Sequence, residues 1–240
     1  MPEITSQWFP YTNTQTSYNN FSQGLNIPKI VCDYLLDAPN PNYGYKPIDD
    51  NNYARCRFWK YVYYDTEKPL EKVLPTIKQK KQVLFNPDKP EEPPTDKGYR
   101  LIPQVWVKQA QTEGQTRVFV YCGSVEPRNE FNKMHMAIRF RILTHYTYET
   151  NTKTDVYNRT LGIEQALIEA LVGVNMTGVG TFMYSKQAHS ACGSREIYDG
   201  DTNVGRELTL AIELATTAVN DLGRTDNMMS LGRTGGTKLV

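Results

Sequence analysis

The sequence predicts an α+β domain: a mostly antiparallel sheet with two main helices packed on one side, plus extended N- and C-terminal arms. Three observations carry that expectation. Met136 to Tyr148 alternates apolar and polar over thirteen positions, the signature of one long strand. Amphipathic helical patterns precede and follow it, at Ile27–Leu36 and over 155–172. Residues 1–24 and 221–240, by contrast, are too polar to build a core of their own.

Taken in order, the arm at 1–24 is poor in aliphatics yet carries Trp8, Phe9, Tyr11, Tyr18 and Phe21. Aromatics spaced along a polar segment fit docking onto another surface, or onto the chain's own domain. Pro28 suits a first helical turn, and Ile27, Ile30, Val31, Tyr34 and Leu35 share one face at the 3.6 period. Phe58 to Tyr64 (FWKYVYY) is aromatic and β-branched, which favours a strand. Lys68, Lys72, Lys78, Lys80 and Lys81 make a basic stretch. The four prolines of residues 86–98 then exclude regular structure, so a surface insertion is expected there.

Ile102–Val107 and Arg117–Cys122 look like strands of a hairpin joined through Gln111-Thr-Glu-Gly-Gln. In the long strand Met136, Ile138, Phe140, Ile142, Tyr146 and Tyr148 share one face, with Arg139, Arg141, His145 and Thr147 on the other. At about 3.3 Å per residue it would reach about 40 Å, enough to outrun its own sheet. Asp155 or Thr154 can cap the helix that follows, Leu161, Ile163, Leu167, Ala170, Leu171 and Val174 form its stripe, and Gly173 ends it. Residues 175–203 read as turns around a short strand at Val179–Tyr184. Gly205–Thr217 alternates like a strand, although Leu208, Ile212 and Ala215 also fit a helix. The expected organisation is an arm at 1–24, one domain over 25–220 with the Pro-rich insertion at 86–98, and a tail at 221–240.

Composition narrows the function. The hydrophobic fraction is 39%, and exchanging the 16 Tyr for the 16 Gly leaves it at 39%. Ordinary domains hold about 45–50% on that second set. The deficit is uneven, concentrated in 1–24, 40–55, 86–98 and 221–240, the parts most in need of neighbours. Formal charge is +1, which argues against gripping nucleic acid by net attraction. No apolar run has the length of a membrane helix, and the N-terminus has no signal-peptide pattern, so no membrane partner is expected. Four cysteines at 32, 56, 122 and 192 are too scattered for a disulfide framework.

Motifs for catalysis are missing. There is no Walker loop, no dinucleotide fingerprint and no nucleophile elbow, so neither an enzyme nor a cofactor is expected. His189-Ser-Ala-Cys192 is half a zinc site at best. Cys-Gly-Ser-x-Glu occurs at 122–126 and again at 192–196, which reads as two similar turns rather than a duplication. Two alternatives stay open. One is a Cys-dependent hydrolase using Cys122 or Cys192 with His145 or His189. The other is a binding module that recognises peptide or carbohydrate through the Tyr-rich stretch at 58–64.

The run HMAIRFRILTHYTYETNTKTDVYNRTLGIEQALIEALVG (135–173), followed by GRELTLAIELATT (205–217), resembles the tail-terminator and head–tail connector proteins of double-stranded DNA bacteriophages. The likeness covers about residues 100–218 and is one of pattern. It implies a virion protein, assembled in the host cytoplasm into a homo-oligomeric ring around the DNA channel. Its partners would be portal, neck and tail proteins. Passive contact with double-stranded DNA would fall to Lys78, Lys80 and Lys81, or to Arg139 and Arg141. Such contacts must stay weak, because a passage has to let DNA slide.

Overall fold

The computed structural model describes residues 26–36, 50–104, 115–128, 133–150, 158–176, 179–200 and 202–215. Its helices are α1 (Ile27–Leu36), α2 (Ala54–Tyr63), α3 (Ile77–Gln82), α4 (Tyr146–Thr150) and α5 (Arg159–Leu171). The strands are β1 (Leu101–Ile102), β2 (Arg117–Pro127), β3 (Lys133–His145), β4 (Asn175–Met176), β5 (Gly180–Met183), β6 (Gly193–Asp199) and β7 (Asn203–Ala215). They form one sheet in the order β1-β2-β3-β7-β5-β4, with β6 also paired to β7. The aromatic arm, the caps Thr154 and Asp155, and the C-terminal tail lie outside the described residues.

This overturns the fold expected from sequence. The sheet is mixed, because β1 runs parallel to β2 with Leu101 opposite Val118 and Ile102 opposite Phe119. A hairpin cannot make that pairing, since parallel neighbours need a crossover between them. The helical layer is not two main helices either. α1, α2 and α5 have 10, 10 and 13 residues, with shorter α3 and α4 beside them, and helix and strand are present in about equal measure.

The third helix is α2, where a strand was expected. Seven of its residues are buried, Cys56 and the run from Phe58 to Tyr63, so it has almost no solvent face. A helix enclosed on nearly every side reads as a continuous apolar run, and periodicity then cannot separate it from a buried strand. Trp59 Nε1 donates to the Leu35 carbonyl at 2.6 Å, tying α2 to α1. Gly162 on α5 brings that helix against Tyr61, since a Cβ there would stand 2.8 Å from the ring.

Two buried arginines hold the C-terminal end of α2. Arg159 donates to the carbonyls of Tyr61 (2.9 Å), Tyr64 (2.6 Å) and Thr66. Arg100 donates to the Val62 carbonyl at 3.0 Å and forks onto Asp65. The last carbonyls of a helix lack partners within it and carry partial negative charge, so a guanidinium suits them twice over.

β3 keeps its expected thirteen-residue length but spans Lys133–His145, and Tyr146–Thr150 turns into α4. It does not outrun the sheet. β7 pairs with it from Lys133 opposite Ala215 to His145 opposite Asn203, and β2 covers most of its other side. Gly205 permits this closeness, because a Cβ there would lie 2.1 Å from the Ile142 carbonyl oxygen.

The two faces of the sheet then differ. On one, Val118, Val120, Met136, Ile138, Phe140, Ile142, Leu208, Leu210 and Ile212 join Val31, Phe58, Trp59, Ile163 and Leu167 of the helices in the main core. On the other, Phe119 and Leu143 gather a small cluster with Tyr99 and Ile102, while Ala211 gathers another with Ala188 and Cys192. Between those clusters the residues are charged.

Candidate functional site: a basic groove on the open sheet face

Strand alternation builds the floor of the groove. Two rows cross the sheet, Tyr121–Arg139–Thr209–Gly193 and Phe119–Arg141–Glu207–Arg195. At the sheet's period of 2, each places its side chains on the face away from the helices. Residues 184–192 form one wall, fixed from several directions. Arg128 donates to the Gln187 carbonyl at 2.7 Å and to that of Ala188, where His135 also bonds. Ser190 donates to Glu126 through both its amide and its hydroxyl.

A bulge in β2 supplies the remaining anchor. The β2–β3 register slips between Cys122 and Val125, and the freed Ser124 carbonyl meets His189 Nε2 at 3.0 Å. His189 Nδ1 accepts from the Ala191 amide at 3.0 Å, so a neutral ring protonated on Nε2 satisfies both contacts. His189 thus braces this wall.

The groove between wall and strands has a volume of about 290 Å³. It is lined by Arg139, Lys186, Ala191, Gly193, Ser194, Arg195, Glu207 and Thr209. Glu207, 5% exposed, is its one carboxylate. It accepts from Tyr121 Oη at 2.8 Å and from Arg195 at 2.6 and 3.1 Å, with Arg139 at 4.0 Å. Burial pushes the Glu207 carboxyl up, but the donors on it prevail and it titrates below its ordinary value. Burial, and the bond to Glu207, push Tyr121 up to about 12. Arg139 Nε is enclosed without a hydrogen-bond partner, and Lys186 is exposed with its ammonium on the Ser190 carbonyl. Among the described residues that line the groove, none is aromatic or a large aliphatic, since Tyr121 and Phe119 end the two rows outside the lining, and the lining presents positive charge and donors.

Residues 57–211 match the family model YomW. The chain belongs to the YomW family. By its name that family derives from Bacillus phage, so this is a phage-associated protein. No curated protein and no solved structure matches it. The YomW match contains every residue that lines the groove. No helix among the described residues is long and apolar enough to cross a membrane.

Of the cations singled out by sequence, the structure brings together only Arg139 and Arg141, on adjacent rows of β3. Lys78, Lys80 and Lys81 sit on α3, whose capping box pairs Thr76 with Gln79. Lys80 is 2% exposed with its ammonium 5.7 Å from the Trp59 ring centre, so it cannot face a lumen. Trp8, Phe9, Tyr11, Tyr18 and Phe21 lie outside the described residues.

The Tyr-rich stretch of the binding-module alternative is core, with Tyr61 and Tyr63 buried in α2. For the hydrolase alternative, burial pushes the Cys122 thiol up, away from the thiolate a nucleophile needs. Cys192 is buried with its thiol toward the Met183 carbonyl. Sequence reading missed Arg195, Lys186, Thr209 and Glu207. Only the alternation of 205–217 hinted at any of them, by placing Thr209 off its apolar side.

Proposed function

We propose that this chain is a virion structural protein, a ring-forming subunit of the phage neck or upper tail that links portal and tail around the DNA channel. The role is one of assembly, without catalysis. The YomW match supports the phage origin, and one structural observation supports assembly. Among the described residues β6 pairs only with β7, leaving its outer edge open along Gly193–Asp199 with Tyr198 72% exposed.

An open strand edge offers a row of unpaired amides and carbonyls to another chain. On the opposite side of the sheet, β2 beyond Phe119 pairs only with β3 among the described residues. Joining β6 of one copy to β2 of the next is a head-to-tail contact, and such contacts close into rings when the rotation allows. In this reading the sheet of each subunit continues into its neighbour.

The test is mass and shape in solution, by light scattering and negative-stain microscopy. Wild-type protein is expected as closed rings, alone or with partner neck proteins. Glu196→Pro, placed on the outer strand, should dissolve them, because proline removes an amide from the edge. A monodisperse monomer under every condition would overturn the proposal.

A further inference from the structure

We infer that the groove formed by Arg139, Lys186 and Arg195 binds the phosphate groups of a nucleic-acid backbone, sequence-independently and with low affinity. The inference deepens the ring reading by assigning a surface to the DNA, but its evidence is separate.

The first argument is charge against acceptor supply. Arg139, Arg195 and Lys186 line the groove with one carboxylate, Glu207, which Tyr121 and Arg195 already occupy. Arg139 approaches that carboxylate only at 4.0 Å, and its side chain is about one-third exposed to the groove. Its side chain lies over the β2 bulge, where Gly123 leaves room. A Cβ at that position would stand 2.9 Å from Arg139 Nε. Arg141 and Arg117 add charge on the same face, so the field is positive although the whole chain carries only +1.

The second argument is the kind of donor. Two guanidiniums, an ammonium and the hydroxyl of Thr209 surround a space of about 290 Å³, while the Ser194 hydroxyl turns to the other face and donates to Glu164. Planar guanidinium forks match phosphate oxygens in pairs, and a lysine adds a point charge. An acidic protein partner fits less well, since protein interfaces take most of their energy from aromatic and apolar anchors. Here the walls offer only Ala191 and Gly193. Among the described residues the lining offers bases no aromatic to stack on, and the nearby Tyr121 spends its hydroxyl on Glu207, so recognition is of the backbone. Weak contacts of this kind let DNA slide, as a passage requires.

Fluorescence anisotropy of a labelled duplex of about 20 base pairs, titrated with full-length protein over a salt series, tests this. Three phosphate contacts give a log–log salt slope of about −2.7. Lys186→Gln should reduce that slope by about one and weaken binding about eightfold near 0.1 M salt. Adding Arg195→Gln should remove about one more. Lys78→Gln with Lys81→Gln, on α3, should change neither, and thermal melts confirm that each variant is folded.

A slope unaltered by Lys186→Gln and Arg195→Gln overturns the inference, as does equal loss in the α3 variant. Displacement of the duplex by polyglutamate at matched charge also overturns it, in favour of an acidic protein partner. Light scattering on the same samples separates the two proposals. Rings that fail to bind DNA sink only the groove assignment, and monomers that bind it with the expected slope sink only the ring.

Discussion

Arginine serves two regions of this molecule in opposite ways. Beneath α2, Arg159 is fully buried and Arg100 nearly so, and backbone carbonyls and Asp65 take up the donors at the guanidinium tips, Arg159 Nε being left without a partner. On the open sheet face, Arg139 and Arg195 share one carboxylate, and Arg195 remains substantially exposed. The difference lies in acceptor supply. Where a helix end offers several unpaired carbonyls, the charge becomes part of the scaffold. Where a single carboxylate serves several cations, positive charge is left over for something outside the chain.

If that contrast holds, the largest effect belongs to the first region. Arg159→Met removes the donors from Tyr61, Tyr64 and Thr66 and leaves their carbonyls enclosed. The expected cost is about 3–5 kcal/mol, since three enclosed carbonyls lose a charged donor at about 1–3 kcal/mol each. Urea unfolding reads it as a lower midpoint at constant slope. Arg159→Lys should recover only part, because one ammonium cannot span three separated acceptors. A loss below about 1 kcal/mol would mean that Arg159 is no more structural than a surface cation, and the contrast would fail.

How the two regions show in the sequence follows the same division. The helix at Ile27–Leu36 and the inward faces of β3 and β7 are legible because each buries one face and leaves a period. α2 is not, since it is buried almost all round and its aromatic content imitates a strand. Nothing near Arg159 in sequence reveals its role, as its acceptors lie more than 90 positions away. The same non-locality hides the groove. Arg139 and Arg141 stand out as the polar side of an alternating strand, yet Lys186, Arg195 and Glu207 join them only through strand pairing and a clamped wall. Proline content marks the insertion at 86–98, and the contact that closes its base, Phe85 edge-on to Tyr99 at 5.2 Å, needs the fold to be seen.

Glu207→Gln sharpens the comparison from the second region. It removes the negative charge that holds Arg195 and accepts from Tyr121, at a cost of about 1–3 kcal/mol. It also leaves the groove one unit more positive, so the salt slope for DNA should steepen while stability falls. Glu207 titrates below its ordinary value when folded, which fixes the sign of the pH effect. Its contribution is fully present above the unfolded value near 4.5 and is lost as pH falls through the folded one. Urea midpoints taken from neutral pH downward should therefore drop less in Glu207→Gln than in wild type. An identical acid limb in both would show that the carboxylate is not held by the cations around it.

The smallest expected effect is the most local. Tyr121→Phe deletes one hydroxyl and leaves every charge in place, so about 1 kcal/mol of stability is at stake at neutral pH. Its sharper readout is ultraviolet difference titration against wild type. The folded pKa of about 12 exceeds the ordinary value of 10, so the folded protein keeps that proton longer than the unfolded chain does. The stabilisation is thus complete below pH 10 and disappears as pH rises through about 12. Burial also raises Tyr63 and Tyr64, so only the difference between the two proteins isolates Tyr121. A midpoint near 12 in that difference means that Glu207 is occupied by the tyrosine as well as by Arg195, with little acceptor capacity left for Arg139. A midpoint near 10 would free a lone pair of Glu207 for Arg139 Nη1, now 4.0 Å away, and less positive charge would be left over for a phosphate.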